Sequence, residues 1–360
     1  MPDVRPSAVM CLPALAFPEN ELTRESVKDT ARRVLEGHPH LPRVLRIIEN
    51  TGIQKRHLVK PIEETVLPSG FGERNAKFIE VSKRLGEEAA MGALANAGLE
   101  PKDVDFIITT SCTGVMIPSL DAHLIAKLGF LPRTKRLPIT ELGCAAGTVA
   151  LSRARELIQG GAAKNVLIVA HELCSLTYQA KDLTMQALVG ALLFGDGVAA
   201  TVLRGDGKLP PNGKGLQLDC NESYLFADSW GYMGFDVRDT GLHLILDRAI
   251  PGAVERHIAP VLLGFLDTQK MPKENLEFFC LHPGGKKVID EIVRTLGLED
   301  ADVQSSRDCL AEVGNLSSAS ILVVIKNTFE RYTPKAGERG IIVGFGPGFS
   351  AEMLLTTWVG

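Results

Sequence analysis

The sequence predicts an α/β protein assembled from two similar halves, and three observations carry that prediction. Short β-branched or apolar runs alternate with longer Ala-, Leu- and Glu-rich segments, the pattern of strands separated by helices. A similar strand–helix unit occurs twice. The composition of the 360 residues, 45% hydrophobic and 23% charged, supports a large core and excludes a disordered chain.

In chain order, Ala8 to Phe17 is apolar but interrupted by Pro13, and no small-residue cleavage pattern follows. It reads as a first strand rather than a leader. Lys83 to Ala97 predicts a helix, with Ser82 as N-cap and Gly98 as its stop. Asp105 to Thr110 predicts a buried strand, Leu120 to Leu128 a helix ending at Gly129, and Asn165 to Ala170 another buried strand. Gly195-Asp196-Gly197 predicts a tight turn before a strand over Val198 to Leu203. In the second half, helices are predicted over Ala253 to Leu266, Lys287 to Leu296 and Leu316 to Tyr332. Strands are predicted over Phe278 to Leu281 and Gly340 to Phe345.

The halves correspond in detail. Pro101 to Phe106 leads into one strand and Pro272 to Phe278 into the other. The first strand ends at Cys112-Thr113-Gly114, the second at His282-Pro283-Gly284-Gly285. Cys112 and Cys144 stand 32 residues apart, His282 and Asn315 33 apart, and Cys144 and Asn315 each follow a glycine. Such a repeat predicts a duplication with a pseudo-two-fold axis. The Gly-, Pro- and Asn-bearing stretch Gly205 to Gly215 marks the linker, which divides the chain into halves 1–210 and 211–360.

Cys144 lies in Leu142-Gly143-Cys144-Ala145-Ala146-Gly147, before a predicted helix over Thr148 to Ile158. A helix N-terminus and a nearby histidine favour thiolate, the form that accepts an acyl group from a thioester. The same pattern also suits a buried structural cysteine. His282 ends a strand before Pro-Gly-Gly, where an imidazole can donate to a developing enolate or be satisfied within a turn. Asn315 opens a helical stretch and reads as an N-cap or as a second donor beside His282. The loop Gly344-Phe345-Gly346-Pro347-Gly348 lacks the Lys-Ser/Thr of a phosphate-cradling loop and reads as a cavity-shaping loop.

Together these segments, with Leu193-Phe194-Gly195-Asp196-Gly197, closely resemble type III polyketide synthases of the chalcone synthase superfamily, from about Ala8 to Trp358. The resemblance implies the thiolase fold, a five-layered αβαβα sandwich, and a homodimer in which Ile117 reaches into the partner's cavity. It implies that Cys144 carries the growing chain while His282 and Asn315 polarise the malonyl thioester. Phe194 and Leu244 are the implied gatekeepers, and Cys112, Thr177, Phe235 and Ser317 the implied cavity positions. Lys55, Arg56 and Lys60 are implied at the mouth that receives coenzyme A. Acyl-CoA and malonyl-CoA are then the substrates, with no further cofactor and no metal. The Asp228 to Val237 stretch and Leu244, where plant enzymes have Phe, resemble alkylpyrone and alkylresorcinol synthases, which take fatty acyl-CoA starters. Cys112 also suits a tetrahydroxynaphthalene-type synthase that uses malonyl-CoA alone. A β-ketoacyl carrier-protein synthase, a non-catalytic thiolase-fold scaffold and a Cys–His hydrolase are further readings.

A net charge of −4 and the absence of a basic run argue against nucleic acid as a partner. No apolar run approaches the ~18 residues of a membrane span. Seven scattered cysteines without a C-x-x-C pair predict neither a disulfide framework nor a zinc site, and fit a reducing cytoplasm.

Overall fold

The computed structural model describes residues 6–360. The first half runs β1 (Ala8–Met10), β2 (Ala14–Ala16), β3 (Asn20–Thr23), α1 (Arg24–Val34), α2 (Leu41–Asn50), β4 (Lys55–Leu58), α3 (Ile62–Thr65) and α4 (Phe71–Ala97). It continues through β5 (Phe106–Thr110), α5 (Leu120–Leu128), β6 (Lys135–Ile139), α6 (Ala146–Gln159), β7 (Asn165–Leu173), α7 (Met185–Leu193) and β8 (Asp196–Arg204). The second half contains β9 (Gly215–Leu225), the hairpin β10 (Met233–Arg238) and β11 (Gly241–Leu246), α8 (Ile250–Ala253) and α9 (Ala259–Thr268). Then follow β12 (Phe278–Leu281), α10 (Lys286–Leu296), α11 (Gln304–Val313), α12 (Ser320–Arg331), β13 (Arg339–Gly346) and β14 (Ser350–Val359).

The duplication is visible in the strand pairing. β5 runs parallel to β7, β7 antiparallel to β8, and β8 antiparallel to β1. In the second half β12 runs parallel to β13, β13 antiparallel to β14, and β14 antiparallel to β9. β1 and β9 pair antiparallel, so the two half-sheets form one ten-stranded sheet.

Alternating side chains along each strand then define five layers. Ile108, Val166 and Ile168 point into a central core with Ala150, Leu151 and Ala154 of α6 and Ile321, Leu322 and Ile325 of α12. Cys280, Ile342 and Leu354 close that core from the second half-sheet. Their neighbours Ile107, Leu167 and Val169 face α4 and α5 on one outside. Phe279, Leu281, Ile341 and Val343 face α9 and α10 on the other. Strands apolar on both faces are the signature of a sheet buried on both sides.

Several boundaries differ from expectation. α4 begins at Phe71, and Ser82 is an interior residue whose hydroxyl meets His171 Nδ1 at 3.1 Å instead of capping. Gly98 ends that helix in the left-handed conformation, as predicted. Asp196 and Gly197 are already strand, paired with Leu173 and Glu172, so no tight turn precedes β8. Pro13 splits the first apolar run into two short strands. A π-helical turn, Val254–Ile258, joins α8 to α9.

Candidate active site

Cys144 sits in a 3₁₀ turn, Gly143–Ala145, that leads into α6. Gly143 has φ +47°, and a Cβ there would lie 2.7 Å from Pro347 Cδ and Cγ. Only glycine combines that backbone with that contact. The Gly344–Gly348 loop therefore packs directly on the turn that presents the thiol. In α6, a Cβ on Gly147 would run into the Ser318 carbonyl, so α6 and the start of α12 approach at backbone distance.

That approach brings Asn315 and Ser317 to Cys144. Cys144 Sγ lies 3.6 Å from Ser317 Oγ. Asn315 is not the N-cap of α12; it precedes the 3₁₀ turn Ser317–Ala319. Its Oδ1 accepts from the Ser317 amide at 2.8 Å and from Ser320 Oγ at 3.3 Å. The amide nitrogen keeps only a 3.5 Å contact to the Gly284 carbonyl, and the side chain also reaches the Cys144 thiol. The capping and donor readings of Asn315 thus describe opposite ends of one amide.

His282 follows β12, its N–H donating to the Val343 carbonyl at 2.8 Å. Its ring is 2% exposed, and neither ring nitrogen has a hydrogen-bond partner among the described residues. Burial pulls its pKa from 6.5 to about 4. Burial pushes the Cys144 thiol up to about 12, against the opposing pull of the Ser317 hydroxyl and the Asn315 amide. Desolvation thus pushes both groups toward their neutral forms, against the pull of the helix terminus toward thiolate.

A cavity of about 1120 Å³ opens from Cys144 and is lined by Cys112, Thr177, Phe194, Phe235, Leu244, Ile117 and Ser317. Phe194 and Leu244 both pack around Gly190 of α7, and Phe235 pairs with Leu244 across the β10–β11 hairpin. Thr177 Oγ1 donates to the Cys174 carbonyl at 2.8 Å. Ile117 is 90% exposed at the cavity rim. One arm of the cavity runs between α1, α2 and α7, walled by Val27, Ala31, Val34, Leu35 and Val44. Among the described residues no His, Cys, Asp or Glu cluster could hold a metal. No described helix is long and apolar enough to cross a membrane.

Comparison with known proteins decides the family. Residues 6–207 match "Chalcone and stilbene synthases, N-terminal domain", and residues 217–359 match the C-terminal domain of the same family. The chain is a type III polyketide synthase of the chalcone and stilbene synthase family. It is 41% identical over 351 residues to 1,3,6,8-tetrahydroxynaphthalene synthase of Streptomyces griseus, covering 98% of this chain and 93% of that one. Phloroglucinol synthase of Pseudomonas fluorescens is 38% identical over 353 residues, covering 98% and 99%. The solved tetrahydroxynaphthalene synthase of Streptomyces coelicolor superposes with TM-score 0.93 at 39% identity, over 98% of this chain and 99% of that one. The five layers are those of the thiolase fold shared by these synthases.

Within this polyketide synthase the three basic residues expected at the mouth behave differently from one another. Strand alternation in β4 turns Lys55 outward, where it pairs with Glu21 at 3.0 Å, and Arg56 inward. Arg56 is buried at the cavity wall, and its Nη1 donates to the carbonyls of Ala191 at 2.8 Å and Phe194 at 2.5 Å. Lys60 pairs with Glu73 at 2.9 Å. Sequence reasoning passed over Arg43 and Arg46, exposed on either side of cavity-lining Val44 and without an ion pair among the described residues. It also passed over Glu172, fully buried and accepting from Ser318 Oγ (2.6 Å), Thr113 Oγ1 (2.8 Å) and the Cys112 amide (3.1 Å). Cys112 Sγ completes the cluster, 3.4 Å from Ser317 Oγ. The signal for Glu172 was a carboxylate near the end of a strand whose middle, Val166 to Ala170, is apolar, an arrangement that demands partners.

Proposed function

We propose that this enzyme condenses malonyl-CoA units on Cys144 and uses malonyl-CoA as its sole substrate, giving a small aromatic polyketide of the tetrahydroxynaphthalene type. One observation carries the catalytic part: a buried imidazole whose two nitrogens have no partner among the described residues, near an Asn315 amide nitrogen that is held only by a 3.5 Å contact to the Gly284 carbonyl and whose side chain reaches the Cys144 thiol. Unsatisfied buried polar groups are costly, and a substrate oxygen is what would satisfy these.

Loading uses His282 as the base. The Cys144 thiol attacks the thioester carbonyl as its proton passes to His282; coenzyme A leaves and takes that proton back. A second malonyl-CoA then places its thioester oxygen against His282 N–H and Asn315 Nδ2. Carbon dioxide departs, its bonding electrons become an enolate held by those two donors, and the enolate carbon attacks the Cys144 thioester. A carbon–carbon bond forms, the carbon–sulfur bond breaks, and the sulfur is freed for the next round. Arg43 and Arg46, at the α1–α2 end of the cavity, are suited to the phosphates of coenzyme A.

The choice of malonyl-CoA alone rests on similarity to the tetrahydroxynaphthalene and phloroglucinol synthases and on Cys112 beside Ser317. A second reading, a fatty acyl-CoA starter leading to an alkylpyrone or alkylresorcinol, is favoured by the apolar arm and by Leu244. Purified enzyme given malonyl-CoA alone should yield a pentaketide that oxidises in air to red flaviolin, and Cys144→Ala should abolish it. Product only after addition of a fatty acyl-CoA selects the second reading. The exposed tip of Ile117 at the rim supports a homodimer in which it enters the partner's cavity, with sedimentation as the check. Seven free thiols suit a reducing cytoplasm.

A further inference from the structure

Arg56 is a buried cation with no ion pair among the described residues, an arrangement that ordinarily loses more in desolvation than it recovers. An apolar side chain of similar length would fill the space more cheaply, so the reason for arginine lies in what it holds. Its Nη1 donates to two carbonyls at the end of α7, Ala191 and Phe194. A cation there complements the negative helix terminus and satisfies carbonyls that the helix leaves open.

Those carbonyls belong to a junction with two functional side chains. The Asn315 backbone N–H donates to the Leu193 carbonyl at 2.9 Å, and the Gly195 backbone N–H donates to the Asn315 backbone carbonyl at 3.0 Å. Phe194 and Asn315 thus form a two-residue parallel bridge. The Arg56 stem lies beneath it: a Cβ added to Gly314 would sit 2.8 Å from Arg56 Cδ. From the far side, Asp196 accepts from the Val59 amide and the Ser175 amide, each at 2.7 Å, and places its carboxylate in the field of Arg56.

We infer that Arg56 is a positioning residue: by tying the Ala191 and Phe194 carbonyls it fixes the junction that aims the Asn315 side-chain amide at the substrate oxygen. The inference rests on the donor role proposed for Asn315. Loading of Cys144 needs the thiol and His282, whereas decarboxylation needs Asn315, so Arg56 acts on the second step.

The test is a mutant cycle on decarboxylation, read as carbon dioxide released from malonyl-CoA and normalised to the fraction of Cys144 that accepts an acyl group. Arg56→Met in the natural background should lower kcat roughly 10- to 100-fold, the loss expected when a catalytic group is misplaced by about an ångström. KM should move less than about twofold, since that change leaves ground-state binding intact. Arg56→Lys keeps the charge with a single-point donor and should fall in between. In an Asn315→Ala background both substitutions should have no further effect. An equal fold-loss in both backgrounds, or none in either, overturns the inference. Decarboxylation at the natural rate in Asn315→Ala alone instead overturns the donor role and removes the basis of the inference with it. Should Arg56→Met fail to fold, Arg56→Lys alone carries the cycle, with the same two outcomes.

Discussion

Replacing Gly143 with alanine tests how the nucleophile is presented. Two separate penalties follow from the geometry. At φ +47° an L-residue with a Cβ loses about 1–2 kcal/mol relative to glycine. The new methyl would also stand 2.7 Å from both Pro347 Cδ and Cγ. Ordinary carbon contacts lie near 3.5–4.0 Å, and such overpacking typically costs about 1–3 kcal/mol. The sum is about 2–5 kcal/mol, readable as a shift of the urea unfolding midpoint at unchanged slope. Relief of the overlap would push the 3₁₀ turn away from the Gly344–Gly348 loop and carry Cys144 Sγ off its line with Ser317 and Asn315. A displacement near 1 Å corresponds to roughly a 100-fold loss in kcat/KM. Adding Pro347→Ala removes the overlap and leaves the backbone penalty, so the double variant should recover about half the lost stability and most of the activity. If Gly143→Ala matched the natural enzyme in both stability and rate, the account of this turn would be wrong.

Two further outcomes follow from the charges. His282 has its pKa lowered from 6.5 to about 4, so its neutral burial contributes fully above pH 6.5 and is lost as pH falls towards 4. At pH 5 that single group lowers stability by about 2 kcal/mol relative to pH 7. Asp196, raised to about 6, acts in the opposite sense and offsets about 1 kcal/mol at the same pH. Denaturant unfolding of natural enzyme and His282→Gln from pH 7 to 5 isolates the histidine; a difference that stays flat or reverses sign contradicts its neutral burial. Arg43→Glu with Arg46→Glu should raise KM for malonyl-CoA roughly tenfold at low salt and much less at 0.5 M salt, while kcat holds. A kcat loss without a KM change would remove these arginines from the mouth.

Much of this enzyme is legible in its sequence because its strands are apolar on both faces and its helices end on glycines. Leu120–Leu128 and Phe278–Leu281 match the structure at both ends, and Gly98, Gly129 and Gly297 stop their helices in the left-handed conformation. The errors share one cause, which is that local signals do not specify tertiary partners. Ser82 has the chemistry of a cap but faces His171 within a longer helix. Lys55-Arg56 reads as one basic patch, yet a period of two sends its members to opposite sides of a strand. The helix start at Cys144 pulls its thiol toward thiolate, while burial, invisible in sequence, pushes its pKa up. The hairpin β10–β11, whose Phe235 and Leu244 line the cavity, lacks a strict alternation and was not predicted; the resemblance pointed only to those two side chains.

The duplication explains why residues so far apart in sequence arrive at one point. Cys144 and Asn315 occupy equivalent places, each in or just before a 3₁₀ turn that feeds a central-layer helix, α6 or α12. Cys112 and His282 likewise lie just past equivalent strands, β5 and β12. A pseudo-two-fold axis through the central layer brings both helix starts together, as the close approach of Gly147 to Ser318 records. Symmetry supplies position, and divergence supplies chemistry. One half offers small residues and a sulfur that can be acylated. The other offers an imidazole and an amide that can only donate to or take a proton from what the sulfur meets. A duplicated fold with the same residues in both halves would have two nucleophiles and no hole for the enolate. Unequal halves are therefore a condition of the reaction, and the ring of His282, whose nitrogens have no partner among the described residues, is the place where that inequality is sharpest.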